Sequence, residues 1–124
     1  MEVILDELRK NNIDMDMNTL SFYIKSNLEQ HKPMFNNMAM TITPTPCNLA
    51  AIFYEVNVTN FGRGMTYLTM VYMLKDRCPQ QVIRDAVRLV AAAFNNLDFS
   101  EFKIKESAIG RVFSAVKYVL GLND

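Results

Sequence analysis

The stretch MTYLTMVYML, Met65 to Leu74, is apolar at nearly every position and decides the fold of this chain. A helix that is hydrophobic around its whole circumference has to be enclosed by other elements. We therefore predict an all-α protein in which the remaining helices are wrapped around this central one. Immediately before it stands NFGRG, Asn60 to Gly64, which puts two glycines and an arginine at the entrance to the core.

Helical periodicity continues on the N-terminal side of this run. The apolar pattern predicts a first short helix that ends near Asn11-Asn12, and a second that begins after Asn18 as its N-cap and is interrupted at Pro33. Helical structure is expected to resume over residues 34 to 40. The segment TITPTP, Thr41 to Pro46, predicts a loop, because each proline fixes φ, lacks an N–H donor and disfavours helix at the preceding residue.

Amphipathic helices are predicted on both sides of the central one. Residues Leu49 to Val56 keep the apolar spacing of a helix. Pro79 suits the first turn of a long amphipathic helix, which is followed by a turn or short helix over residues 98 to 105 and a last helix over residues 109 to 120. Strand patterns are thin. The predicted architecture is therefore all-α, in one domain that spans residues 1 to 124.

Composition argues against several kinds of partner and site. The 124 residues include 13 Lys and Arg and 13 Asp and Glu, so no net charge attracts nucleic acid or an anionic membrane. Cys47 and Cys78 belong to no metal-binding pattern and are expected to be reduced thiols. The N-terminus lacks the pattern of a signal peptide, and no apolar run reaches the roughly 20 residues of a membrane-spanning helix. We expect an intracellular protein without a membrane-spanning segment, metal ion or cofactor.

Catalytic patterns are missing from the sequence as well. His31 has no Ser, Cys or carboxylate partner at a diagnostic spacing, which indicates a solvated histidine at a helix end. Gly62 and Gly64 lack the preceding strand and the further glycine of a dinucleotide-binding loop. We therefore expect no catalytic residues, and a small helical enzyme is the least favoured interpretation.

In an all-α chain, NFGR at Asn60 to Arg63 resembles the NWGR signature of the B-cell lymphoma 2 (Bcl-2) family of apoptosis regulators. That signature lies at the start of the family's central hydrophobic helix, and the order of elements around it is similar here. Phe61 replaces the usual Trp, Gly64 is an additional glycine, and the second homology region is best matched by Phe102 to Ile104. Without the family's long loop and membrane tail, the chain looks most like a compact viral homologue.

The resemblance implies a Bcl-2-like helical bundle that inhibits apoptosis. Members of the family hold the amphipathic BH-3 helix of a pro-apoptotic partner, of the Bim, Bid, Bax or Bak type, in a hydrophobic surface groove. Such a protein would act in the cytoplasm, of the host cell if it is viral, and would reach mitochondria peripherally through its partners. An open apolar groove also favours self-association, so we expect a homodimer through the groove region in the free protein.

Three residues of the motif suit the binding of a ligand helix. Gly62 has no side chain, so a helix can approach the backbone closely. Arg63 offers a planar fork to a carboxylate, and the resemblance implies that it pairs with the aspartate shared by BH-3 motifs. An ordinary surface ion pair is the alternative for Arg63. Asn60 either caps the central helix or binds the same ligand.

The walls of the groove are expected from the helices before and after the motif, with a plain core role as the alternative for each apolar residue. The predicted wall residues are Leu49, Ile52, Phe53, Val56, Thr66, Tyr67 and Met70, with a further contribution from Phe22 and Leu28. The nine methionines allow two interpretations, core filling or an adaptable groove surface. A different class of function also stays open, namely a scaffold or signalling adaptor that keeps the fold, dimerises and binds no BH-3 helix.

Overall fold

The computed structural model describes residues 1 to 95. Over this range the chain is helical and contains no strand, which agrees with the all-α prediction. The helices are α1 (Glu2–Lys10), α2 (Met17–Thr41), α3 (Pro46–Val56), α4 (Phe61–Leu74) and α5 (Gln80–Phe94), with a 3-10 turn at Lys75–Arg77. The helix predicted over residues 109 to 120 and the segment matched to the second homology region lie outside the described residues.

Helix α4 is the central helix, as predicted, and it packs against α2, α3 and α5. Its buried residues occupy almost the whole circumference: Gly64, Met65, Tyr67, Leu68, Thr69, Met70, Val71 and Leu74. The helix begins at Phe61, earlier than predicted, because the side chain of Asn60 accepts a 2.9 Å hydrogen bond from the amide of Arg63. The motif NFGRG therefore supplies the N-cap and first turn of the core helix.

Helix α2 differs from the prediction at its start. The predicted N-cap, Asn18, is wrong, because the carboxylate of Asp16 accepts a 2.7 Å hydrogen bond from the amide of Thr19 and the helix begins at Met17. The predicted interruption is a bend at His31 (φ −131°, ψ 33°), two residues before Pro33, whose ring disrupts the hydrogen-bond ladder. Helix then continues to Thr41, which confirms the predicted resumption.

The loop before α3 is shorter than predicted and covers residues 42 to 45. Pro46 belongs to the helix, since a missing N–H is tolerated at the first helical position. The hydroxyl of Thr45 caps this end by accepting a 3.1 Å hydrogen bond from the amide of Asn48. At the other end Asn57 adopts a left-handed conformation, φ 53°, and turns the chain toward α4.

A buried carboxylate joins α1 to α5, and the sequence analysis did not predict it. Glu7 is 3% exposed and accepts hydrogen bonds from Arg84 at 3.2 Å, Arg88 at 3.3 Å and Asn11 at 2.8 Å. Burial by itself would raise the pKa of Glu7, but these donors lower it below its usual value. Apolar periodicity gives no sign of such a residue, because the arginines lie about 80 positions away in the sequence.

The methionines mostly serve as core residues. Met15, Met38, Met65 and Met70 are buried, whereas Met40 is exposed at the end of α2. Core filling is thus confirmed for the buried four. Among the described helices, none is both long enough and apolar enough to cross a membrane.

Candidate helix-binding site

Arg63 lies on the exposed side of the first turn of α4. Its Nη1 donates a 2.8 Å hydrogen bond to the carbonyl of Val56, the last residue of α3. That carbonyl is one of the acceptors that a helix end leaves without an intrahelical partner. Arg63 therefore ties the end of α3 to the start of α4, across the left-handed residue Asn57.

Arg63 differs from the arginines of α5 in its ion pairing. Arg84 and Arg88 each pair with carboxylates of α1. Within residues 1 to 95, no carboxylate lies within 4.0 Å of Arg63, so the surface ion pair considered as its alternative role is not formed there. A guanidinium carries five N–H donors, and the Val56 carbonyl takes one. The remaining donors of Arg63 can receive an incoming carboxylate.

Gly62 and Asn60 shape the surface beside Arg63. Gly62 is exposed, and among residues 1 to 95 a β-carbon added to it would approach only the side-chain oxygen of Asn60, at 3.3 Å. The position is therefore open to a close neighbour on the outside of α4. Of the two predicted roles for Asn60, capping is the one that the structure shows. Thr66, one turn later, is half-exposed and donates a 3.1 Å hydrogen bond to the Gly62 carbonyl.

The apolar residues predicted as groove walls lie in the core, where α3 meets α4. Leu49, Ile52, Phe53, Val56, Tyr67 and Met70 are each at most 3% exposed. The hydroxyl of Tyr67 donates a 2.6 Å hydrogen bond to the Leu49 carbonyl, and the Phe53 ring packs edge-on against it with centroids 5.4 Å apart. The plain core role therefore describes these residues in the free protein. A ligand helix reaches them only if the packing around α3 and α4 opens.

A row of four aromatic rings lies next to the motif and was not predicted as a unit. Phe22 contacts Tyr23 (centroids 5.6 Å apart), Tyr23 contacts Phe61 (4.9 Å), and Phe61 stacks on Phe94 (5.8 Å, planes 23° apart). We call Phe22, Tyr23, Phe61 and Phe94 the aromatic row. Phe22 is 65% exposed and Phe61 is 42% exposed. Because the rings come from three helices, no local spacing could reveal the row. Leu28, also suggested for the groove, is half-buried.

A separate apolar recess of about 370 Å³ lies between the N-terminal parts of α3 and α5. Its lining includes Leu49 and Ala50 of α3 and Val82, Ala86 and Leu89 of α5, with Asp85 and Arg88 at its edge. Leu49 is the one predicted wall residue that lines it, and the NFGR residues do not. The recess and the Arg63 surface are therefore two distinct places on the described part of the molecule.

No group of three or more His, Cys, Asp and Glu side chains is placed to hold a metal ion in residues 1 to 95. Comparisons with known protein families, with curated proteins and with solved structures find no match to this chain. The resemblance to the Bcl-2 family accordingly depends on the NFGR residues and on the order of the helices around them.

Proposed function

We propose that this chain is a Bcl-2-like inhibitor of apoptosis that binds the BH-3 helix of pro-apoptotic proteins. The observation that carries the proposal is Arg63, an exposed arginine without a carboxylate partner among residues 1 to 95, in the first turn of a buried central helix. Exposed Gly62 precedes it, and Asn60 fixes the start of the helix. The motif thus occupies the helix junction at which the resemblance implies ligand binding.

In the proposed complex the aspartate of the BH-3 helix pairs with the donors of Arg63 that have no partner among residues 1 to 95. A charge-assisted pair of this kind fixes the orientation of the ligand along the surface. The apolar anchors of the BH-3 helix would supply most of the affinity, at roughly 1.5 to 3 kcal/mol for each well-buried side chain before ordering costs. Because the predicted walls are buried in the free protein, their exposure is part of the cost of binding.

Calorimetric titration with a Bim-type BH-3 peptide tests this function. We expect the wild-type protein to bind with a Kd below about 10 μM. Arg63→Glu should weaken binding by about tenfold or more, because it places a like charge opposite the peptide aspartate. Arg77→Glu is the matched control: Arg77 is also exposed and also donates to a backbone carbonyl, that of Ile42 at 3.3 Å, but it lies beyond the other end of α4.

Two results would contradict different parts of this proposal. If no peptide of the Bim, Bid, Bax or Bak type binds the wild-type protein in this range, the sequestering function is wrong. If Arg63→Glu binds as tightly as Arg77→Glu, the function stands and only the role of Arg63 is wrong. Thermal unfolding of each variant establishes that a loss of binding is not a loss of folding.

A second function is favoured by one observation, the burial of the six apolar wall residues. A protein that keeps its α3–α4 contact closed would act as a scaffold or signalling adaptor through its outer surfaces. Such a protein would bind no BH-3 peptide but would form a stable complex with another chain or with itself. The same titration, combined with sedimentation of the free protein, separates the two functions.

A further inference from the structure

Phe94, at the end of α5, contacts the first turn of α4 on both sides of Arg63. Its ring stacks on Phe61, two residues before Arg63, with the planes 23° apart. Its ring also covers Gly64, the residue that follows Arg63. The two positions that flank the exposed Gly62-Arg63 pair are therefore both in contact with one side chain from another helix.

Gly64 leaves the space that this ring needs. A β-carbon built on Gly64 would lie 2.6 Å from Cε1 of Phe94, and such a separation is too short for two carbon atoms. Gly64 has a helical conformation, so the glycine is not required by the backbone. It is required by the close approach of the Phe94 ring, which explains the glycine that the NWGR pattern does not contain.

Besides Phe94, the first turn of α4 is held by Tyr23, which contacts Phe61, and by the hydrogen bond from Arg63 to the Val56 carbonyl. A recess of about 310 Å³ lies beside this turn, lined by Val58, Thr59, Asn60, Phe61, Ala93 and Phe94. The side chains of residues 1 to 95 leave this space open, so the first turn of α4 has room to shift if the ring of Phe94 is removed or displaced. Such a shift would move Arg63 relative to the Val56 carbonyl, which it contacts from that turn.

We propose that Phe94 is a positioning residue for Arg63. Its ring packs against Phe61 and Gly64 and so fixes the first turn of α4. The fixed turn orients the guanidinium of Arg63 toward a ligand carboxylate. The inference rests on the proposed function, because it assigns Phe94 a part in the recognition of the ligand aspartate. Phe94 itself does not touch the ligand in this arrangement.

The test compares a Bim-type BH-3 peptide with the same peptide in which the shared aspartate is replaced by asparagine. The ratio of the two Kd values reports the contribution of the Arg63 pair and is independent of the apolar anchors. In the wild-type protein we expect a ratio of about ten or more, the value of one charge-assisted hydrogen bond. In Phe94→Ala we expect it to fall below about three, because the pair loses its alignment.

Gly64→Ala is the second variant, because it keeps every ligand-contacting side chain and displaces the ring with one methyl group. Like Phe94→Ala, it should lower the ratio of the two Kd values. Val82→Ala is the control: it removes apolar atoms from the opposite end of α5, so it should leave the ratio near the wild-type value. Phe94→Leu replaces Phe94→Ala if the latter does not fold.

The outcomes separate this inference from the proposed function. If Phe94→Ala and Gly64→Ala bind both peptides with the wild-type ratio, even at reduced affinity, Phe94 has a structural role only and the inference is overturned. If the wild-type protein binds both peptides equally, Arg63 is not the aspartate receptor and there is nothing for Phe94 to position. If the wild-type protein binds neither peptide, the proposed function itself fails.

Discussion

The hydroxyl of Tyr67 donates a 2.6 Å hydrogen bond to the carbonyl of Leu49, in the core between α4 and α3. Tyr67 is fully buried, so the hydroxyl is placed where water cannot replace this partner. The acceptor belongs to the first part of α3 and the donor to the middle of α4. One side chain thus fixes how these two helices sit against each other.

Removing this hydroxyl should destabilise the fold without changing its shape. We expect Tyr67→Phe to lower the free energy of unfolding by about 1 kcal/mol, the net contribution of one hydrogen bond. Urea denaturation measures the difference. Tyr72→Phe is the matched control, since Tyr72 lies on the same helix, is half-exposed, and packs its ring under Lys75. Equal losses in the two variants would show that the Leu49 contact contributes nothing.

Tyr67 should also set the stability of the protein in alkaline solution. Burial, with a smaller effect of Cys78, raises the pKa of Tyr67 far above its usual value. The unfolded chain therefore loses this proton from about pH 10 upward while the folded chain retains it, and stability falls as the pH rises. The Tyr67→Phe variant has no such proton to lose, so this part of the decrease in stability with rising pH should be absent. Urea midpoints between pH 8 and about 11 measure it, and identical slopes for the two proteins would contradict the prediction.

The carboxylate of Glu7 should control stability at acid pH. Its pKa is lowered in the folded protein, so its contribution is present above the unfolded pKa and is lost as the pH falls through the lower folded pKa. We expect Glu7→Gln to cost about 1 to 3 kcal/mol at pH 7, because the substitution removes the buried charge that accepts hydrogen bonds from Arg84 and Arg88. The variant should lose less stability than the wild type on acidification.

Asp85→Asn is the control for Glu7→Gln. Asp85 also pairs with Arg88, at 3.1 Å, but it is about half-exposed, and exposed pairs contribute roughly 0 to 1 kcal/mol. If Asp85→Asn lowers the free energy of unfolding as much as Glu7→Gln does, burial does not explain the contribution of Glu7 to stability. Chemical denaturation at pH 7 and below pH 4 supplies both comparisons.

The contact between Gly64 and Phe94 predicts non-additive stability changes. In a Phe94→Ala background, Gly64→Ala should stabilise the protein by about 1 kcal/mol, because alanine favours a helix over glycine. In the wild-type background this gain should vanish or change sign, because the new methyl group displaces the ring. A double-mutant cycle by urea denaturation gives the coupling directly. The same effect in both backgrounds would mean that the ring does not occupy this space.

The N-cap residue offers a way to separate helix stability from ligand binding. Asn60→Asp keeps a strong N-cap acceptor, so stability should change by less than about 0.5 kcal/mol. The added carboxylate lies at the backbone amide of Arg63 and brings a negative charge to the surface that would receive the ligand aspartate, so the affinity for a Bim-type BH-3 peptide should fall about tenfold. Asn60→Ser keeps the cap without a charge and serves as the control. Equal binding by Asp and Ser variants would place Arg63 outside the ligand contact.

The sequence determined the helices and the identity of the central one. The apolar run of residues 65 to 74 requires enclosure whatever surrounds it, and the hydrogen bonds of a helix are local, so periodicity was enough to place the described helices to within a few residues. Where the boundaries were wrong, at Asn18 and Met65, a capping side chain earlier in the sequence, that of Asp16 or Asn60, decided the start of the helix. Cap choice depends on backbone angles that spacing does not encode.

Only the tertiary structure decided which apolar faces are buried against each other and which are open. Spacing placed Ile52 and Phe53 on the apolar face of α3. Contacts between α3 and α4 decide that this face packs into the core. The sequence left Gly64 unexplained, because the ring that needs its space lies 30 residues away. Such pairs are brought together by the packing of whole helices, so a local motif marks the helix junction but only the fold determines which residues touch there.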